Sequence, residues 1–426
     1  MIVGMLLSSC LYETPDSDVD GLEDGEGVEL TLKIGAVAAD SPTSGVVETV
    51  ESLRIIMLNE AGELEVNEKV QLPLAQYAAS KFNYIYIRTL SAGRKNFYLV
   101  ANEDRVGPVS MTDMSGMPQD LELESLSDLL DYFQPSTGED NSVRNGQTFE
   151  NALNRVYFEN DYDALREGNN IYLPYSSHYV LDVRTHVKME SDMFLVPVAT
   201  KFDFVITNYR QKNAKIDDII LSSVNSHNFL NAQLTTEEEE RLLDGNKLWW
   251  VDWLQKCSVA SETADDMVSF NRYWGWIKDY SLPLSGEETV EKILNPNKEN
   301  WTIDKLVDKM NPSKLTVGPF YFAESKNPGP DNVEDLIEGV KDADGNDIEI
   351  DYDSQFYMLT FKLHDEDEEE VTVLTGNYID TLKALFRGTH VVVHVELYES
   401  KVDIYSEIYP WNDWKAQGFV QEADDD

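Results

Sequence analysis

The sequence predicts a mainly β protein, built as two antiparallel β-sandwich domains with a few helices inserted between strands. Three observations carry that prediction. Segments of alternating apolar and polar residues, and short runs rich in β-branched and aromatic residues, recur along the chain. Helical patterns are few and do not alternate with strands at regular spacing, which argues against a parallel α/β sheet. A length of 426 residues exceeds one ordinary domain, and 42% hydrophobic residues are enough for two cores.

The first strand is the clearest. Val28, Leu30, Leu32 and Ile34 alternate with Glu29, Thr31 and Lys33, so one face is apolar and the other polar. Gly35 and a loop-forming run over 36–45 (AVAADSPTSG) follow. Residues 52–58 (SLRIIML) make the next strand, closed by a turn at Asn59, Glu60, Ala61 and Gly62. Residues 84–88 (YIYIR) and 96–101 (NFYLVA) are strands by their β-branched and aromatic content. Helices are predicted over 126–133 (LSDLLDYF) and over 236–243. In the second, Thr236 and Glu239 have capping-box spacing, and Asp244 with Gly245 supplies the stop. Strands return over 194–206, 216–221, 320–324, 356–363, 370–374 and 389–397 (THVVVHVEL), and Val402, Ile404 and Ile408 then alternate with polar neighbours. Asp344 and Gly345 within 341–353 predict a hairpin tip. No short internal repeat is visible.

Residues 1–27 stand apart from this pattern. Residues 1–9 (MIVGMLLSS) are apolar and small but lack a positive leader, so the start reads as truncated. Leu7, Ser8, Ser9 and Cys10 resemble a bacterial lipobox, which makes Cys10 the candidate lipidation site. Glu13, Asp16, Asp18, Asp20, Glu23, Asp24 and Glu26 then fall in a stretch with almost nothing to bury, the composition of a flexible tether.

Composition and motif content narrow the function classes. With 79 acidic against 34 basic residues the formal net charge is −45, which excludes nucleic acid as a partner, because phosphate binding needs clustered cations. The two cysteines, Cys10 and Cys257, make neither a disulfide framework nor a CxxC zinc pattern. No GxSxG, Gly-rich phosphate loop or HExxH occurs. His390 and His394 sit four apart, but on a strand that spacing spans about 13 Å, too far to share one ion. Asp342, Asp344, Asn346 and Asp353 match some calcium-loop positions, yet Asp347 stands where the loop needs glycine. The expectation is therefore no enzyme, no cofactor and no metal.

Several landmarks, taken in order, resemble the Bacteroidota fimbrillin family of type V pilus subunits. Tyr98, Leu99, Val100, Ala101 and Asn102 resemble its "YVVAN"-like segment, and Pro174 with Ser176 and Ser177 falls where the family often has "PMS". Residues 196–208 (VPVATKFDFVITN) look like the strand that opens its second domain. Residues 319–326 (PFYFAESK) and 385–411 resemble the carboxy-terminal domain of short-fimbria major subunits. An acidic stretch after the lipid-bearing cysteine also resembles the export signal of surface lipoproteins in these bacteria.

The resemblance implies two transthyretin-like sandwiches and assembly by donor-strand exchange, with other fimbrial subunits as partners. It also implies adhesion to a host or bacterial surface receptor, and attachment to the outer membrane through lipid on Cys10. On that basis residues 1–27 are a truncated lipoprotein signal and acidic tether. Residues 28–192 form an N-terminal sandwich whose exchangeable first strand carries Val28, Leu30, Leu32 and Ile34, and residues 193–426 form a C-terminal sandwich. One departure stands out. Family stalk subunits are typically cut by an arginine-specific protease after the first strand, but no Arg or Lys lies between Lys33 and Arg54. Stalk and anchor roles both stay open. The alternative function is a surface glycan-binding lipoprotein, suggested by Trp249, Trp250, Trp253, Trp274 and Trp276 beside Tyr273. At helical spacing such aromatics also serve as core.

Overall fold

A computed structural model describes residues 28–36, 46–132, 153–232, 277–292, 314–326, 357–379 and 384–410, less 73–76, 80–81, 113–117, 160, 163, 185–187, 283, 285–287 and 366–369. The chain is mainly β. In the first body the strands are β1 (Val28–Ala36), β2 (Ser52–Leu58), β3 (Leu64–Gln71), β4 (Asn83–Leu90), β5 (Gly93–Ala101), β6 (Tyr175–Val183) and β7 (Met189–Pro197). They form one sheet in the order β3-β2-β5-β6-β7-β1-β4. Strands β6 and β7 pair only through Tyr175 with Pro197 and Ser176 with Val196. Beyond that corner the sheet parts into two layers, β4-β1-β7 and β6-β5-β2-β3, whose inward side chains share one core. At the open side the layers are tied by Glu68 of β3, which pairs with Arg88 and accepts a 2.9 Å bond from the Tyr86 hydroxyl of β4.

The outer face of β2 and β5 carries a second core, where Ile56, Leu58, Tyr98 and Val100 meet Leu126 and Leu130 of helix α1 (Leu126–Tyr132). The helix starts where the sequence predicts, and its cap explains why. Asp128 N donates to Ser125 Oγ at 3.1 Å, and that hydroxyl donates back to Asp128 Oδ2 at 2.7 Å. Beside it the buried Arg54 guanidinium makes two 2.7 Å bonds to Glu103 and one of 2.8 Å to Asn67 Oδ1.

The second body holds β8 (Thr200–Asn208), β9 (Ala214–Asn225), β10 (Ile277–Ser281), β11 (Leu315–Phe322), β12 (Met358–Asp365), β13 (Thr372–Tyr378), β14 (Thr389–Leu397) and β15 (Val402–Pro410). Sheets β11-β8-β14-β15 and β10-β9-β12-β13 enclose one core, with Phe202, Phe204, Val391 and Val393 facing Ile216, Ile219, Leu359 and Phe361. This is the expected second sandwich. Among the described strands three pairings depart from a wholly antiparallel plan: β1 runs parallel to β7, β8 runs parallel to β14, and the short segment Asn170–Ile171 runs parallel to Val47–Val50. The first two match in local layout. Each body's first strand lies between one antiparallel neighbour (β4 or β11) and one parallel neighbour (β7 or β14). A repeat therefore exists in topology, although none is visible in sequence.

The strand predicted over 194–206 is two strands, β7 and β8, separated by the buried Val198 and Ala199. Periodicity misses the break because both strands are buried through it. The boundary placed between residues 192 and 193 consequently falls inside β7, which pairs with β1 as far as Leu195. We place the division at Val198 and Ala199 instead. The predicted helix over 236–243, the tryptophan group with Tyr273, the hairpin over 341–353, Cys10 and Cys257 lie outside the described residues.

Buried charges join the two bodies. Lys201 Nζ of β8 lies 2.9 Å from Glu48 Oε1 of the first body, which also accepts from the Tyr321 hydroxyl at 3.2 Å. Arg387 Nε donates to Glu324 Oε2 at 2.7 Å, and its other nitrogens donate to the carbonyls of Leu230 and Phe229 at 2.8 and 2.7 Å. Residues His227–Phe229 pair with Val156–Glu159 of the first body, so this guanidinium bridges the bodies through backbone.

His178 of β6 stacks on Tyr98 at 4.2 Å and meets Asn96 Oδ1 at 3.2 Å. Burial lowers its pKa from 6.5 to about 4. Between those values the unfolded chain binds more protons than the folded one, so stability falls as pH falls. Denaturant unfolding at pH 7 and pH 5 should show a loss of about 2 kcal/mol from this group. His178→Gln should remove that part of the slope, and an unchanged slope would refute the assignment.

Candidate functional site

The site is β1 and the slot it occupies. Its sequence alternation becomes a two-sided strand, with Val28, Leu30, Leu32 and Ile34 at most 4% exposed on one side and Glu29 and Lys33 exposed on the other. The strand is interior rather than an edge. It pairs parallel with β7 from Leu30–Met189 to Ala36–Leu195, and antiparallel with β4 from Val28–Leu90 to Gly35–Asn83. Across those ladders the apolar face meets Leu90, Tyr86 and Tyr84 on one side, and Met189, Met193 and Leu195 on the other. Taking β1 away would leave a slot one strand wide. Its walls would be the unpaired backbones of β4 and β7, and its floor would hold four emptied side-chain positions.

Two kinds of contact hold β1, and their sizes differ. The outer ion pairs, Lys33 with Glu190 at 2.8 Å and Lys188 with Glu29 at 3.2 Å, join exposed side chains. Such pairs contribute about 0–1 kcal/mol each. The apolar face contributes roughly 1.5–3 kcal/mol per buried side chain, so it dominates.

Strand β8, in the same topological place of the second body, is held differently. It is buried on both faces, and its second face carries Lys201 tied to Glu48 and Asp203 tied to His390 at 2.8 Å. Polar partners specific to that face would be lost on exchange. β1 has no such commitments. Its wet face ends in solvent-screened charges.

Of the other sequence candidates, His390 is a buried partner of Asp203, and His394 lies 3.0 Å from Glu407 Oε2 and stacks on Tyr405 at 4.5 Å. The two histidines serve separate contacts. Among the described residues no group of three or more His, Cys, Asp or Glu could hold a metal ion, and no helix is long and apolar enough to cross a membrane. The inter-body guanidinium at Arg387 is the feature sequence reading missed. A lone arginine in a loop before an apolar strand carries no signal of burial.

No protein-family model and no curated protein matches the chain. Several solved structures are similar to it at low identity. One is described as a cell adhesion protein from Parabacteroides distasonis, 12% identical over 91% of this chain and 98% of that one, with a TM-score of 0.46. Another is the tip fimbrial protein Mfa3 from Porphyromonas gingivalis, 12% identical over 90% and 100%, with a TM-score of 0.46. A fimbrilin from the same organism is 10% identical over 91% and 98%, with a TM-score of 0.40.

Proposed function

We propose that this chain is a structural subunit of cell-surface fimbriae, a type V pilus assembled by donor-strand exchange, in which the alternating strand Val28, Leu30, Leu32 and Ile34 gives up its slot to a strand from the next subunit. One observation carries the reading. β1 is an interior strand held by generic means, a backbone ladder and an aliphatic face, while its topological equivalent β8 is pinned by specific buried charges. A strand held generically can be replaced by another of the same pattern, and replacement satisfies edge backbone and core at once. The order of the fimbrillin-like landmarks in the sequence supports the same reading. Transthyretin-like is then the proposed description of each sandwich.

Partners in this account are other fimbrial subunits, with adhesion to a surface receptor as the output and no catalysis. Lipid on Cys10, through the acidic tether, would attach the chain to the outer membrane before exchange. Mass spectrometry of filaments sheared from the source cells tests the role. The chain should be present in them, either with lipid on Cys10 or with a mature start within 35–50. A filament fraction lacking the chain would overturn the proposal.

A further inference from the structure

Strand β4 ends the first sheet, and its far edge pairs with nothing among the described residues. Its outward face is Asn83, Ile85, Ile87 and Thr89, all exposed, with Ile85 and Ile87 at 56% and 59%. An eight-residue edge bearing two exposed isoleucines is what soluble proteins usually avoid. The opposite edge of the same sheet follows the usual practice, since β3 carries Glu65, Asn67, Glu68 and Lys69. Strand β4 contains no proline and no acid.

Charge and sequence both indicate what covers it. In a chain with 79 acidic residues, none occurs from Lys69 to Asn102. Two copies, each with a formal charge of −45, repel over most of their surfaces, and β4 adds no acid of its own to that repulsion, its Arg88 being paired with Glu68 of β3. The strand is also complementary to itself. With a two-fold axis perpendicular to the sheet at Tyr86, an antiparallel copy sets Ile85 opposite Ile87, Tyr84 opposite Arg88 and Asn83 opposite Thr89. Like faces meet like faces: isoleucines pair outward, and the tyrosine lies beside the guanidinium inward.

We infer that the β4 edge is a self-association surface, where a second copy of this chain adds its own β4 and makes one sheet continuous across two molecules. The inference does not rest on strand exchange, because β4 is at the edge whichever copy supplies the strand in the β1 slot.

Sedimentation of the purified full chain over a concentration series tests it. A concentration-dependent dimer is expected, tightening with added salt as repulsion is screened. Ile85→Lys with Ile87→Lys should weaken it roughly tenfold or more without changing the unfolding temperature of the monomer, read at concentrations where the dimer is dissociated, since both side chains are exposed. Val371→Lys with Val373→Lys, at the other exposed aliphatic pair, should leave it unchanged. Register is read with Cys10 and Cys257 changed to serine. Oxidation of a mixture of Ile85→Cys and Ile87→Cys chains should form the mixed disulfide, since those positions face each other directly, and neither alone should do so efficiently, its two thiols being diagonal at about 7–8 Å. A chain that stays monomeric, lysines on β4 that change nothing, or dimer loss from the valine substitutions alone would each overturn the inference.

Discussion

A chain lacking residues 28–36 should fail to hold its first sandwich while the second sandwich stays folded. Four side chains at most 4% exposed leave the core with β1, a loss of roughly 6–12 kcal/mol from apolar burial alone. Two backbone ladders are lost as well. That range is an upper estimate, because real unfolded chains already bury some apolar surface. It still rivals the whole stability of an ordinary domain, about 5–15 kcal/mol. Calorimetry should therefore show one transition lost or shifted far down, and a second retained near its original temperature. A synthetic peptide spanning Val28–Ala36 should restore the first transition. Single substitutions grade the effect: Leu32→Ala should cost about 2–5 kcal/mol, and Lys33→Ala less than about 1. Equal costs for Leu32→Ala and Lys33→Ala would show that the strand is not held by its apolar face.

Arg387→Met should destabilise the chain by about 3–5 kcal/mol, the usual size when one partner of a buried ion pair is removed. The Arg387 and Glu324 side chains are 1% and 5% exposed, and the substitution strands the carboxylate and takes one donor each from the carbonyls of Phe229 and Leu230. The double substitution Arg387→Met with Glu324→Leu should recover part of that loss, because the unpaired charge goes with it. Denaturant unfolding of the three chains gives the comparison. A double variant no better than Arg387→Met would mean that the guanidinium acts through the two carbonyls and not through Glu324. The same joint is expected to keep the sandwiches together while β1 is exchanged, since none of its groups lies on β1, β4 or β7.

Much of this architecture can be read from residues. β1 is legible because exactly one of its faces is buried, so period two survives in the sequence. Helix α1 is legible because residues 126–133 form a short amphipathic run, while the cap of Ser125 and Asp128 that fixes its start is seen in the structure. Strands β7 and β8 merge into one predicted strand because burial on both faces removes the alternation, leaving Pro197 as the only punctuation. Parallel pairing of β1 with β7 brings together residues some 160 apart, and no local pattern encodes it. Burial of Lys201, Arg387 and Glu48 is equally hidden, because each is ordinary in sequence and depends on a partner from the other body.

Exchange of β1 is the claim on which the functional account depends, and a removable cross-link tests it most directly. Glu29 and Thr89 are both exposed and directly paired across β1 and β4. With Cys10 and Cys257 changed to serine, Glu29→Cys and Thr89→Cys would tie β1 into its own sandwich when oxidised. Polymer should be absent from the oxidised chain under conditions where the parent assembles, and should return on reduction. Equal polymer from the tied and untied chains would contradict strand exchange.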